Sequence, residues 1–326
     1  MLEKIIYILG AAFLFYVGYY LITSIGIFKK RKKVTNNNDD KKNFFAVIIA
    51  ARNEENVIGK LIDSLKKQSY PSEYFDIYVI VNNCTDNTAI EAKKAGAKVI
   101  SCTEKVSTKG EVLKYTFDLF KDNNKIDAYA IFDADNIVHH DFLAKMNDMI
   151  NSGYSVAQGF RDTKNISDNW LTSSYAILYY FQSLFLNESR YNMGRSSFLN
   201  GTGFVIKKEV IDKHGFNPKT VTEDVEFTAM CAINNEKIGF ATDAITYDEQ
   251  TNSFDVSWKQ RKRWSFGTME CLREYFPILL KKGIKERNFE CFDVGLFYLS
   301  VISHVVFNLL PIFLLINIII HFDSLT

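Results

Sequence analysis

Three hydrophobic patterns follow one another along the chain. The first is an unbroken apolar run from Ile5 to Phe28, IIYILGAAFLFYVGYYLITSIGIF, 24 residues without a charge. At about 1.5 Å of rise per residue a helix of that length spans roughly 36 Å, enough to cross a bilayer core. The run is longer than the apolar region of a cleaved leader, and no A-x-A-like site follows it. The basic stretch KKRKK, residues 29–33, comes next. It predicts that this side of the span faces the cytoplasm. A polar tract, VTNNNDDKKN, then reads as a linker.

The second pattern alternates. FFAVIIAA (44–51) is a continuous apolar run, as expected of a strand buried on both faces. FDIYVIV (75–81), AKVIS (97–101) and DAYAIFDAD (127–135) repeat it. Between them, helical spacing covers ENVIGKLIDSLKKQ (55–68), TDNTAIEAKKAG (85–96) and KGEVLKYTFDLFKD (109–122). Thr85 is expected as an N-cap and Gly96 as a C-cap. Strand–helix alternation at this spacing predicts an α/β fold, a mostly parallel sheet wound with helices on both faces. Such sheets bind ligands beyond the carboxyl ends of their strands. Polar residues gather there: Arg52, Asn53 and Glu54, then Asn82 and Asn83, then Asp133 and Asp135.

The third pattern is apolar again, from Val294 to Phe322, broken by Pro311. It predicts one kinked membrane helix or a tight pair. REYFPILLKKGIKER (273–287) mixes aromatic with basic residues and predicts a helix in the membrane interface. The expected organisation is an N-terminal anchor (1–28), a linker (29–43), a cytoplasmic α/β domain (44–272), an interfacial helix (273–288) and C-terminal membrane segments (289–326). Such a chain is a multi-pass protein of the cell membrane.

Composition narrows the function. A hydrophobic content of 47% suits a packed core, and a net charge of +1 gives no reason to expect a nucleic-acid partner. The five cysteines, Cys84, Cys102, Cys231, Cys271 and Cys291, form no C-x-x-C pair or metal-ligand spacing. They are expected as reduced thiols of a cytosolic domain. The chain holds no G-x-x-x-x-G-K-[ST] loop, which argues against a P-loop nucleotide hydrolase.

The candidate chemistry starts at AIFDAD. Residues two apart on a strand point the same way, roughly 7 Å apart. Two carboxylates aimed into one cleft repel, and one protonates unless a cation intervenes. A hard divalent ion with oxygen ligands removes that conflict and can also hold a diphosphate. For D-x-D alone, two solvated loop aspartates remain an equal alternative. An EF-hand is excluded because the required Gly and Glu do not follow. Two further stretches bear on the choice: NPKTVTEDVEFTAM (217–230), and SWKQRKRWSFG (257–267) with Gln260, Arg263 and Trp264 on neighbouring turns. Each alone reads as ordinary, an acidic helix start favoured by the dipole and a basic surface helix.

Taken in order, AARNEE, NNCTDNT, TKG, DAD, NGTG, TED and QRKRW resemble the membrane-embedded, inverting family 2 glycosyltransferases. These include cellulose, hyaluronan and poly-N-acetylglucosamine synthases and, more distantly, ceramide glucosyltransferase. The resemblance runs over residues 44–270 or so. It implies a GT-A fold and transfer of a sugar from a nucleotide-sugar donor, UDP-linked, to a lipid or glycan acceptor. It also implies that Asp133 lies near the ribose or pyrophosphate, while Asp135, with Asp133, holds Mg²⁺ or Mn²⁺. Lys109, Arg52 and Arg263 would contact the nucleotide-sugar, with Glu54 and Asn82 flanking the base. Asp224 matches the general base. Gly201, Thr202, Gly203, Glu223, Gln260 and Trp264 match the acceptor side. One departure is Asn82, where the family usually carries Asp; an amide can accept from a base N–H and can also donate. Two or three spans favour single addition over a processive synthase, unless an oligomer or partner subunit completes a pore. The reading of another class is a catalytically silent membrane scaffold, which Asn82 alone supports.

Overall fold

The computed structural model describes residues 2–31, 34 and 41–321. Lys32 and Lys33 of the basic run, residues 35–40 of the linker and residues 322–326 lie outside the described residues. The strands are β1 (Phe45–Ala51), β2 (Phe75–Val81), β3 (Lys98–Ser101), β4 (Ala128–Asp133), β5 (Ile137–Val138), β6 (Val156–Thr163), β7 (Phe204–Lys207) and β8 (Ile238–Asp248). They form one sheet in the order β3-β2-β1-β4-β7-β6-β8-β5. β1 to β4 are parallel, as the alternation predicts. Alternate residues of β1 enter two different cores. Phe45, Val47 and Ile49 pack on one face, and Ala46 and Ile48 on the other. That double burial is why the strand reads as an uninterrupted apolar run.

Helices α2 (Ile58–Lys66), α3 (Thr88–Lys94), α4 (Lys109–Leu119) and α5 (Phe142–Asn151) connect these strands. α3 begins two residues later than expected, with Asn87 in place of Thr85 at the N-cap. Asp86, not Thr85, organises its start, accepting from Thr88 N at 3.0 Å and from Glu55 N at 3.2 Å. β4 also ends early, at Asp133, so Asp135 sits in the following turn and not on the strand. The second half of the sheet is mixed. β7 runs antiparallel to both β4 and β6, while β6 and β8 are parallel.

The remaining helices are α6 (Trp170–Phe181), a π-helical turn (Gln182–Glu188), α7 (Ser189–Asn192), α8 (Lys208–His214), α9 (Glu223–Ile233), α10 (Phe254–Glu286) and α11 (Phe289–His321). The segment expected as a separate interfacial helix is the C-terminal half of α10, which continues through Pro277. Cys271, Tyr275, Leu279 and Gly283 are buried at a spacing of four. The first three of them join a core with Ala229 of α9 and Cys291, Val294 and Tyr298 of α11. α11 likewise continues as one helix through Pro311.

Among the described residues, two helices are long and apolar enough to cross a membrane, α1 (Leu2–Ser24, extended by a 3₁₀ turn to Phe28) and α11. They lie against one another, with Phe13 and Phe307 ring centroids 5.0 Å apart. A buried polar knot joins them to the globular part. Arg190 on α7 is 1% exposed; its Nε donates to Asp293 Oδ2 at 2.7 Å and its Nη2 to Tyr19 Oη at 2.9 Å. Tyr19 Oη in turn donates to Asp293 Oδ1 at 2.7 Å. Breaking a buried pair from one side leaves a bare charge, which costs about 3–5 kcal/mol. Arg190→Met is therefore expected to destabilise the detergent-solubilised chain by about that amount. Thermal unfolding checks this; a melting temperature equal to the parent's contradicts it.

Candidate active site

The carboxyl edge of the sheet is built from loops that double back. Asn53 and Asn83, just beyond β1 and β2, both take positive φ, at 60° and 52°. Asn tolerates this conformation better than most side chains. Asn53 Oδ1 accepts from Thr85 N at 2.8 Å, tying the two loops together. Glu54 N donates to Thr88 Oγ1 at 2.8 Å. Burial raises the Glu54 carboxyl above its ordinary range, and the negative charges of Asp133, Asp86 and Glu249 raise it further. Asn82 is buried, with its backbone N donating to Ala51 O at 3.0 Å and its Nδ2 3.4 Å from Val106 O. Arg52 is exposed.

Beyond β4 the chain turns, with Asp135 in the turn. Asp133 N donates to Thr202 Oγ1 at 2.9 Å and to Asn136 Oδ1 at 3.2 Å. Asn136 Nδ2 bridges Asp135 Oδ1 at 3.3 Å and Asp248 Oδ1 at 3.0 Å. The Asp135 carboxyl is pushed up to about 8, by burial first and then by Asp248, Asp133 and Glu54, with Arg161 opposing. Arg161 pairs with Asp248, its Nε 2.9 Å from Oδ2. Its guanidinium also lies 3.9 Å from the centre of the Tyr179 ring. The surplus of hard carboxylate oxygens around Asp135 fits a divalent cation of the Mg²⁺ or Mn²⁺ kind.

Lys109 and the T-E-D turn close the other side. Thr108 caps α4, accepting from Glu111 N at 3.2 Å while Glu111 Oε2 accepts from Thr108 N at 2.9 Å. This box holds Lys109 at the first helical position. Its ammonium pairs with Asp133, donates to Gly201 O at 2.6 Å, and stands 3.9 Å from Glu223. Burial works against that charge, yet Asp133 and Glu223 overcome it and raise the Lys109 pKa. Glu223 and Asp224 open α9. Burial pushes Glu223 up to about 7, with Lys109 opposing and Asp224 adding repulsion. Burial also raises Asp224, against the hydrogen bond from Val225 N and the charge of Lys109.

The backbone here leaves little room. Gly201 has φ of 88°, and a Cβ there would lie 3.4 Å from Asp224 Oδ2. The T-E-D turn is held from behind by Glu226, which accepts from Thr220 N at 2.8 Å and from the Tyr275 hydroxyl. α10 docks directly on it, because a Cβ at Gly267 would lie 2.5 Å from Thr222 Oγ1.

These elements enclose a cavity of about 690 Å³. Its lining carries polar side chains, among them Lys109, Asp133, Arg161, Asn200, Glu223, Asp224, Gln260 and Arg263. It also carries apolar ones, among them Leu178, Phe181, Phe185 and Leu186, with Tyr20 of α1 and Phe297 of α11. Trp264 also lines it and meets the Tyr175 ring edge-on, with centroids 6.2 Å apart. Gln260 Oε1 accepts from Tyr175 Oη at 3.3 Å.

Of the residues expected at the site, Asp133, Lys109, Gly201, Glu223, Asp224, Gln260, Arg263 and Trp264 share this cavity. Arg52, Glu54, Asn82 and Asp135 belong to the carboxyl edge beside it. Thr202 and Gly203 are buried behind it, and Thr202 braces Asp133 where a contact to an acceptor was expected. Arg161, Asp248, Tyr179 and Glu226 were missed. Asp248 could have been found as another acid at the end of an apolar strand. Tyr179 and Glu226 carry no local signal.

A profile of the family described as "Glycosyltransferase like family 2" matches residues 42–267. The probable glycosyltransferase YdaM of Bacillus subtilis is 24% identical over 282 residues, covering 78% of this chain and 63% of that protein. The beta-monoglucosyldiacylglycerol synthase of Synechocystis is 25% identical over 241 residues, covering 69% of this chain and 48% of that protein. The chain thus spans between about half and two thirds of the length of these relatives. In fold it is similar to the mannosyltransferase PcManGT of Pyrobaculum calidifontis, solved with GDP-Man and Mn²⁺, with a TM-score of 0.71 at 15% identity over 96% of this chain and 86% of that one. The fold is therefore GT-A-like, carried between two apolar helices. With the family profile extending from just before β1 into α10, the chain belongs to glycosyltransferase-like family 2.

Proposed function

We propose that this chain is a membrane-bound enzyme that moves one sugar from a UDP-linked donor to the hydroxyl of a lipid, with inversion. The observation that carries this reading is the mixed lining of one cavity, where Asp224 and Asp133 share a space with Tyr20 of α1 and Phe297 of α11. A glycan needs no such apolar lining, whereas an acyl chain entering from the bilayer does. A relative that acts as a beta-monoglucosyldiacylglycerol synthase supports the same acceptor class.

In this account the Asp224 carboxylate takes the proton of the acceptor hydroxyl as its oxygen attacks the anomeric carbon. The bond to the diphosphate breaks on the opposite face, which inverts the centre. Asp135, with Asp133, would hold Mg²⁺ or Mn²⁺, which supplies charge neutralisation for the leaving diphosphate. PcManGT, solved with Mn²⁺, supports a metal of this kind. Lys109 holds Asp133 in place, and Arg263 offers a second cation at the cavity. Trp264 offers an apolar face to the acceptor. Arg52, Glu54 and Asn82 at the neighbouring strand ends would take the nucleoside.

Exposed Trp170, Leu178 and Phe181 on α6 and Phe254, Trp258 and Phe266 on α10 lie among Lys259, Arg261 and Lys262. Such a mixture suits contact with lipid headgroups. The basic run after α1 supports a cytoplasmic active site.

Asp224→Asn is expected to lower transfer from UDP-glucose to diacylglycerol by about 10²–10⁴-fold. Calorimetric binding of UDP-glucose should change less than about threefold. Lost binding would make Asp224 a structural residue. The raised Asp224 carboxyl must be ionised to act, so activity is retained above its pKa and lost as pH falls through it. The acid limb of kcat/KM should therefore centre above about 4, the ordinary carboxylate value. A limb at that ordinary value contradicts the assignment.

A further inference from the structure

Among the described residues, seven side chains hold buried polar atoms without a hydrogen-bond partner: Tyr129, Thr163, Tyr179, Ser183, Glu188, Asn200 and Asn317. Only two of them line the active-site cavity, Asn200 and Tyr179. Asn200 is 7% exposed and both its amide atoms are unpartnered; Tyr179 is 4% exposed and its hydroxyl is unpartnered. Leaving such groups dry and unpaired is costly, so native proteins almost always satisfy them. Two orphans on residues that line one cavity point to a ligand that supplies the missing partners.

Both side chains are held where they are. Asn200 N donates to Gln158 Oε1 at 3.1 Å and its carbonyl accepts from Arg161 Nη1 at 2.8 Å. Only the side-chain amide is left free. The Tyr179 ring lies under the same guanidinium, 3.9 Å away, and stacks on Tyr175 at 6.2 Å with 17° between the ring planes. One buried arginine thus positions both groups. Asn200 also directly precedes Gly201, whose Cβ position is 3.4 Å from Asp224 Oδ2.

A carboxamide presents one acceptor and one donor side by side, which matches two neighbouring hydroxyls of a pyranose. The phenol adds a third hydrogen-bonding position. An acyl chain uses none of these, and a lipid's single reacting hydroxyl is taken by Asp224. We propose that Asn200 and Tyr179 hold the hydroxyls of the transferred sugar and set which hexose is accepted. This rests on the nucleotide-sugar reading above. A site built to hydrogen-bond a hydroxyl rejects analogues that misplace it, because its own buried groups are then left unpaired.

The test uses the full chain in detergent with Mn²⁺. Binding of UDP-glucose, UDP-N-acetylglucosamine and GDP-mannose is measured by calorimetry, beside UDP and GDP alone, for the parent, Asn200→Ala and Tyr179→Phe. Each variant is expected to weaken the preferred sugar nucleotide by about tenfold or more. The matching nucleoside diphosphate should stay within about twofold of the parent. Tyr179→Phe, which deletes only an unpartnered hydroxyl, should melt at or above the parent temperature without ligand, so it remains informative if Asn200→Ala misfolds. Equal losses for sugar nucleotide and nucleoside diphosphate, or no loss for either, would overturn the proposal. So would unaltered donor binding with a raised KM for diacylglycerol alone, which would move the pair to the acceptor. If the parent binds no nucleotide sugar, the enzyme reading itself fails, and this inference with it.

Discussion

Negative charge is concentrated at one end of this sheet. Asp133, Asp135, Asp248 and Glu54 come together where β1, β4 and β8 end, with Asp248 buried and Asp133 and Glu54 partly exposed. Like charges so placed cannot all stay ionised without compensation. Two buried cations supply part of it, Lys109 against Asp133 and Arg161 against Asp248. What remains is unbalanced around Asp135, and the rest of the site is arranged about that imbalance. Asn136 is spent bridging two of the acids, and Thr202 is spent holding the end of β4. The polar lining of the cavity is thus a scaffold for charge before it is a binding surface.

The apolar lining has a different origin. It exists because α10 turns back over the T-E-D loop and delivers α11 beside α1. Gly267 permits the close approach, and Glu226 anchors the loop against Tyr275. The knot of Arg190, Asp293 and Tyr19 then fixes both apolar helices to α7, and Arg190 Nη1 also donates to Leu186 O at 3.0 Å in the π-helical turn that lines the cavity. The two apolar helices and the cavity are therefore joined by a few buried contacts.

Much of this was legible in the sequence, for identifiable reasons. Continuous apolar runs mark strands buried on both faces, so β1, β2 and β4 could be read directly. Acids and amides at their ends mark the carboxyl edge. Boundaries were less visible, because α3 starts where Asp86 folds back on Thr88, a contact that Thr85 seemed equally able to provide. The same-face argument for Asp133 and Asp135 assumed a strand through both. Asp135 lies in a turn instead, where the charge of Asp133 still acts on it. Lys109 reads as a free cation in T-K-G, yet it is engaged by an acid 24 positions away. The contributions of Arg161, Tyr179 and Glu226 depend on partners distant in the chain, and nothing local announces them. Asn200 stood inside the N-G-T-G stretch, but its significance lies in the partners it lacks, which only a folded chain can reveal.

The proposed reading needs the acidic edge to hold a cation beside the cavity in which Asp224 meets apolar residues of α1 and α11. Its most direct test is the product formed in vesicles that contain the full chain and diacylglycerol, supplied with UDP-glucose and Mn²⁺. The account predicts a glycolipid whose anomeric configuration, read by NMR, is opposite to the donor's, and none when EDTA replaces the metal. A product with retained configuration, or undiminished synthesis in EDTA, would contradict it.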